Sequence, residues 1–289
     1  MYQVVHYPKD KSYNEYFYEM IDFLNKHYEN HRFLHFHWSR WEWMFARGSF
    51  HEEDLKAISL FIKDEEIKGA LIFEDDPNDA YFAVYDDDKQ LKVEMIKYFK
   101  IHYPNKDIII PEDDEMILLL NEIDHKKTDW IDPVTRFSLT SFDIPNTPEY
   151  EIISLAEDYR LDQIHHALYL GFNHGDDITY SKKDLEERQQ QTSSPHFSKH
   201  YTFVAVSHDK YVSYVGIWYM KGTKTALIEP VATVPQHRKK YLARACIYAA
   251  IKAVKNDGAK DIFVGSNMDV YLNMGFKDFS KATRYKKKQ

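Results

Sequence analysis

Apolar positions recur along the chain with two periods. Short runs rich in Val, Ile, Phe and Tyr, at residues 2–7, 60–63, 69–73, 81–85 and 108–110, predict strands. Longer stretches in which apolar residues return every three or four positions, at 13–27 and 91–102, predict amphipathic helices. The same order then comes round again: strand 150–154, helix 156–171, a hairpin of 203–206 and 211–219, strand 226–234, helix 241–255 and strand 261–264. The second hairpin turns at Ser207-His208-Asp209-Lys210 and the first at Asp64-Glu65-Glu66. This alternation predicts an α/β (α+β) fold of mixed sheets flanked by helices, and the repeated order predicts a structural duplication.

The polar segment Ser141-Phe142-Asp143-Ile144-Pro145-Asn146-Thr147-Pro148 carries two prolines and separates the halves. It predicts domains at 1–143 and 144–289. A chain of 289 residues is long enough for two cores.

The chemistry concentrates at residues 226–250, ALIEPVATVPQHRKKYLARACIYAA, where a strand passes through Pro235 and a basic turn into a small-residue helix. Backbone N–H groups in a helix's first turn lack intrahelical partners and sit at the positive end of the macrodipole, so such a terminus binds phosphate. Arg238, Lys239, Lys240 and Arg244 add four positive charges in a chain of net charge −8. Basicity this local suits a polyphosphate ligand better than a nucleic acid.

Arg238-Lys239-Lys240-Tyr241-Leu242-Ala243 resembles the acyl-CoA-binding motif of the GNAT N-acetyltransferase superfamily, Arg/Gln-x-x-Gly-x-Gly/Ala, with Tyr241 in place of the usual Gly. A residue in the first helical turn has φ near −60°, so the Cβ of Tyr241 is expected to be tolerated. Downstream, Gly258 as helix stop, Gly265-Ser266-Asn267 and Tyr271-Leu272-Asn273-Met274-Gly275-Phe276 follow the order of that family. The resemblance spans roughly residues 152–285. It implies two tandem GNAT-like domains, the second taking acetyl-CoA as cosubstrate and transferring an acetyl group to a primary amine.

By the same resemblance, the strand ends where its neighbour splays away and Val231, Ala232, Thr233 and Val234 receive the pantetheine arm. A free N–H near Val231 would polarise the thioester carbonyl. Glu229, just before Pro230, is the expected base for the acceptor ammonium, and Tyr271 the acid for the departing thiolate. Asn267 is expected as helix N-cap and cofactor contact. Each has a plainer alternative: Glu229 a strand-end carboxylate, Tyr271 a core aromatic, Asn267 a cap alone. At the equivalent place the first half has Asp86-Asp87-Asp88-Lys89-Gln90. Three carboxylates there would repel a pyrophosphate by on the order of several kcal/mol in a cleft, so the first domain is expected to be degenerate.

Apolar residues make up 44% of the chain and aromatics 16%, a composition against disorder. No apolar run nears the ~20 residues of a membrane span, and the N-terminus does not read as a signal peptide, so a cytoplasmic protein is expected. The single Cys246 excludes an intramolecular disulfide and reads as a small buried hydrophobe. His31, His35 and His37 alternate without a completing ligand, and His165 and His166 are adjacent on a helix, so no metal site is expected. Residues 189–194 read as loop, 286–288 as a frayed tail, and Trp218 and Tyr219 as core. The expected partner is a small-molecule amine, with neither nucleic acid nor membrane. Oligomeric state is left open. The alternative from another class is a non-catalytic acyl-CoA sensor or scaffold; modification of a protein amine is a third reading and would need an open groove.

Overall fold

The computed structural model describes the chain apart from residues 1, 9, 11, 27–35, 48–51, 75, 85–87, 113, 121–122 and 289. It divides into two compact units, residues 1–134 with 279–289, and residues 135–278.

The first unit contains β1 (Gln3–His6), α1 (Glu15–Lys26), α2 (Trp38–Ala46), α3 (Glu52–Leu55), β2 (Ser59–Lys63), β3 (Glu66–Phe73), β4 (Asp79–Val84), α4 (Lys89–His102), β5 (Asp107–Pro111) and α5 (Asp114–Leu119). β6 (His125–Phe137) follows, its last residues in the second unit. The second unit continues with β7 (Glu151–Ser154), α6 (Leu161–Gly171), α7 (Lys182–Thr192), β8 (Phe203–Ser207), β9 (Lys210–Tyr219), β10 (Thr225–Thr233), a single 3-10 turn at Pro235–His237, α8 (Leu242–Asn256), β11 (Asp261–Val264) and α9 (Asp269–Leu272). β12 (Phe276–Lys287) ends the chain, most of it in the first unit.

Both units are built to one plan. In the first, β1 to β4 pair antiparallel in succession, β4 pairs parallel with β5, and β5 pairs antiparallel with β12, Thr283 opposite Ile110. In the second, β7 to β10 pair antiparallel, β10 pairs parallel with β11, and β11 pairs antiparallel with the end of β6, Phe263 opposite Arg136. The crossover helix between the parallel strands is α4 in one and α8 in the other, as a parallel connection requires. Both hairpins turn on two residues in the left-handed region, Asp64 and Glu65 (φ 54° and 63°) and His208 and Asp209 (φ 46° and 62°), the geometry that matches strand twist.

In the second unit α8 lays Leu242, Ala245, Cys246, Ile247, Ala250, Ile251 and Val254 on the sheet, where Ile217, Ala226, Ile228 and Ile262 meet them. The small side chains let the helix approach closely. Cys246 is fully buried, and burial pushes its thiol up to about 12. Trp218 and Tyr219 are buried, as expected of core residues. On the opposite face α6 packs Ile164, Ala167 and Leu168 against Val204, Tyr214 and Ala232.

Several expectations change. The units exchange their final strands, so residues 135–143 and 279–289 fall on the other side of the expected division at 143/144. A strand edge takes whichever segment completes the ladder, and a proline-bearing linker does not report that choice. α6 starts at Leu161 rather than 156, because Ser154 closes a turn with Glu157, its N–H and Oγ donating to Oε2 at 2.8 and 2.7 Å. Residues 189–192 belong to α7, nucleated by a capping box of Ser181 and Asp184. His37 caps α2, its Nδ1 accepting from the Ser39 N–H at 3.2 Å, while His31 and His35 lie outside the described residues. Lys286 and Lys287 sit in β12, and the Lys288 N–H donates to Asp124 O at 2.9 Å, so the tail is strand-bound.

Candidate active site

A cleft of about 540 Å³ opens in the second unit at the carboxyl end of β10. Its floor is Val231, Ala232 and Thr233; one wall is His237, Arg238, Lys239, Tyr241 and the first turn of α8, Leu242 to Arg244; the other is Met268, Val270, Tyr271 and Asn273; Gly171 closes the end.

The opening follows from strand geometry. β10 keeps register with β11 only from Thr225↔Asp261 to Leu227↔Phe263, although it continues to Thr233. On its other side the pairing with β9 slips between Ile228 and Val231, where Glu229 and Pro230 form a bulge with a cis peptide bond. Pro230 has no N–H for the ladder. Gly216 of β9 leaves room for this bulge: a Cβ there would lie 2.6 Å from the Glu229 carbonyl oxygen. Gly171 does the same for α6, since its Cβ would lie 2.7 Å from that of Ala232 and 3.0 Å from the Thr233 N.

The turn before α8 places Lys239 and Tyr241 in the left-handed region, at φ 63° and 60°. Tyr241 therefore occupies a backbone position that glycine adopts freely, not the ordinary helical φ expected for it, at a cost of about 1–2 kcal/mol. A left-handed Tyr241 followed by the right-handed first turn of α8 turns successive N–H groups toward one side, as in an anion nest. The first backbone bond of α8 runs from the Ala245 N–H to Tyr241 O (2.9 Å), so Leu242, Ala243 and Arg244 have no intrahelical acceptor. No side chain caps this terminus and its first turn holds no acid.

The corresponding terminus of α4 is closed. Asp88 accepts the Leu91 N–H at 3.0 Å through one carboxylate oxygen and the Tyr2 hydroxyl through the other. These bonds hold its carboxyl below the ordinary range. Asp86 and Asp87 lie outside the described residues.

Of the expected ligand set, Val231, Ala232, Thr233, Arg238, Lys239, Tyr241, Leu242, Ala243 and Arg244 line the cleft. Arg238 also acts as a clamp: its guanidinium donates to Thr233 O (3.0 Å), Gly171 O (2.9 Å) and Asn173 Oδ1 (2.9 Å), tying the end of α6 to β10. Arg244 reaches Asn273 O at 3.3 Å and carries its guanidinium 5.5 Å from the Tyr241 ring. Three expected residues do not line the cleft. Lys240 donates to the Tyr150 hydroxyl at 2.7 Å. Val234 is buried, its N–H bonded to Val212 O at 2.9 Å. Asn267 is exposed, and the N-cap of α9 is Met268, whose N–H is held by Ser266 Oγ at 3.3 Å.

Tyr271 is 8% exposed and faces the cleft. Burial and the nearby Glu229 carboxylate push its hydroxyl up to about 12, so it is protonated at neutral pH. Glu229 is half-buried and is not among the residues that line the cleft; its carboxylate is near enough to Tyr271 to act on it electrostatically. Gly171, His237, Met268, Val270 and Asn273 were not anticipated. His237 adjoins the basic motif and bonds Tyr150 Oη through Nδ1 at 3.1 Å. Burial, with Lys240, His166 and His208 nearby, lowers its pKa. Exposed apolar residues on a one-turn helix, such as Met268 and Val270, carry no signal of a cleft.

Residues 161–276 match the acetyltransferase (GNAT) family model. No curated protein matches the chain. Among solved structures, it is similar over 98% of both chains to a tandem GNAT protein from the clavulanic acid biosynthesis pathway, at 11% identity and TM-score 0.58. It is similar to a GCN5-related N-acetyltransferase from Sphaerobacter thermophilus, at 11% identity, 79% of each chain and TM-score 0.54. It is also similar to a glucosamine N-acetyltransferase region of a fungal multi-domain β-N-acetylglucosaminidase, at 10% identity, 99% of this chain, 38% of that one and TM-score 0.52. The open cradle at α8, its closed counterpart at α4 and these likenesses converge: residues 161–276 form a domain of the GNAT acetyltransferase family, in a chain with the tandem GNAT fold.

Proposed function

We propose that the second unit transfers an acetyl group from acetyl-CoA to a primary amine of a small molecule, while the first unit binds no cofactor. The observation that carries this reading is the uncapped, acid-free terminus of α8 opening on a cleft that also holds a buried, protonated Tyr271 under the influence of Glu229. The N–H groups of residues 242–244 and the basic side chains of Lys239 and Arg244 fit a pyrophosphate, and the floor at Val231–Thr233 fits an extended amide arm. Capping by Asp88 is the reason the first unit is assigned no such site.

Acetyl-CoA, when bound, supplies an acetyl group already activated as a thioester. Glu229, directly or through water, takes the proton that the acceptor ammonium must lose before its nitrogen forms the new C–N bond. As the C–S bond breaks, the Tyr271 hydroxyl donates a hydrogen bond to the sulfur, which departs as the thiolate. With a pKa of about 12 the hydroxyl is a hydrogen-bond donor across the whole neutral range. Positioning in the cleft supplies the rest of the acceleration.

Glu229→Gln tests the assignment. Turnover is expected to fall 10²- to 10⁴-fold, with acetyl-CoA affinity measured by calorimetry unchanged. Tyr271→Phe is expected to lower kcat more than KM. A wild-type protein that binds acetyl-CoA and turns over no amine would favour the sensor reading, and an active Glu229→Gln would remove Glu229 as the base.

A further inference from the structure

On the face of the sheet opposite α8, α6 and α7 enclose a group of polar side chains that the proposed chemistry does not use. Arg188 of α7 is half-buried, and its Nε is shielded from solvent and bonded to nothing. The guanidinium makes one side-chain hydrogen bond, from Nη1 to Gln191 Oε1 at 2.5 Å, and among the described residues no carboxylate lies within ion-pair distance of it. Glu187 and Asp184 act on it only at longer range, and burial lowers its pKa, as for a cation short of counter-charge. His165, which interacts electrostatically with Arg188, is 3% exposed, and among the described residues neither ring nitrogen meets a partner in good hydrogen-bond geometry. Beneath it Tyr214 of β9 is 3% exposed and interacts electrostatically with Arg188. A partly shielded guanidinium short of counter-charge carries a desolvation cost that an anion brought from outside would offset.

The sheet places this cation near the proposed base. Tyr214 is paired with Ala232 of β10 and packs on α6. Two residues along the same face, about 7 Å away, is Gly216, and the Glu229–Pro230 bulge stands directly over the space its Cβ would fill. The Glu229 main chain at Gly216 and the Tyr214 that Arg188 faces electrostatically therefore lie along one stretch of sheet, with no side chain from Gly216 between them.

Resting on the reading of Glu229 as base for an amine, we propose that the acceptor is a small amine that also carries an anionic group, carboxylate or phosphate, and that Arg188 binds that group while the amine lies at Glu229. Arg188 is thus a specificity-determining residue, and the bidentate geometry of guanidinium with carboxylate or phosphate suits the role.

The test compares 2-aminoethyl phosphate and β-alanine with ethylamine and propylamine, following thiol release from acetyl-CoA; the buried Cys246 adds no background. The anionic amines are expected to exceed the neutral ones at least 10-fold in kcat/KM. Arg188→Gln should abolish that preference by raising KM for the anionic amines, leave the neutral amines and acetyl-CoA affinity unchanged, and Arg188→Lys should restore part of it. Equal use of neutral and anionic amines, or an equal loss on both in Arg188→Gln, overturns the proposal while leaving acetyl transfer intact. Calorimetry with 2-aminoethyl phosphate separates the remaining cases. Binding that Arg188→Gln removes, in a protein that acetylates nothing, upholds Arg188 and defeats the transferase reading; no binding and no anionic preference overturns it.

Discussion

Tyr241 concentrates the tension between stability and function in a single residue. Its φ of 60° is a conformation that costs an L-residue with a Cβ about 1–2 kcal/mol, and no side chain caps the helix it begins. Such strain is retained where it arranges a site. Tyr241→Gly is expected to stabilise the protein by about 1 kcal/mol, less the stacking of Arg244, read as a higher midpoint in urea. A lower midpoint would mean that the ring's contacts outweigh the backbone strain. The motif at Arg238–Ala243 was legible because it is local. The left-handed φ of Tyr241 was not, since a tyrosine does not announce it, nor was the clamp made by Arg238, which depends on where α6 ends, 67 residues upstream.

At the scale of elements, the site depends on a bulge that two strands and a helix agree to accommodate. Pro230 interrupts the β9–β10 ladder, Gly216 makes room for the Glu229 carbonyl, and Gly171 lets α6 approach β10. Gly216→Ala places a Cβ 2.6 Å from that carbonyl oxygen. It is expected to cost about 1–3 kcal/mol of stability and, by displacing Glu229, to lower kcat more than acetyl-CoA affinity. Unchanged stability and turnover would show that the bulge relaxes freely. The break at Pro230 could be read from the sequence because proline lacks a ladder donor. The reason for Gly216 could not, because its partner lies across the sheet. The helix α7 was missed for a related reason: residues 182–192 are polar on nearly every side, so hydrophobic periodicity is absent and the local signals are the capping box and a run of good helix formers.

For the whole molecule, one plan is used twice, and the two copies differ where it matters for ligand binding. The repeated strand–helix order was legible from hydrophobic period alone. The exchange of final strands was not, because a long-range pairing such as Thr283 with Ile110 leaves no mark on local pattern. It carries a consequence for truncation. Deleting residues 279–289 removes the strand that completes the first unit's sheet, so that unit is expected to lose protection in hydrogen exchange, β5 first; protection unchanged throughout the first unit would contradict the assignment of β12 to it. The same comparison of copies predicts a stoichiometry. α8 presents unpartnered N–H groups and α4 presents the carboxylate of Asp88, so one chain should take one acetyl-CoA. Calorimetric titration of the full chain with acetyl-CoA, alongside Lys239→Glu, tests this directly: one site of micromolar affinity, weakened at least 10-fold in the variant, is predicted, whereas two sites, no binding, or an affinity indifferent to Lys239→Glu would contradict it.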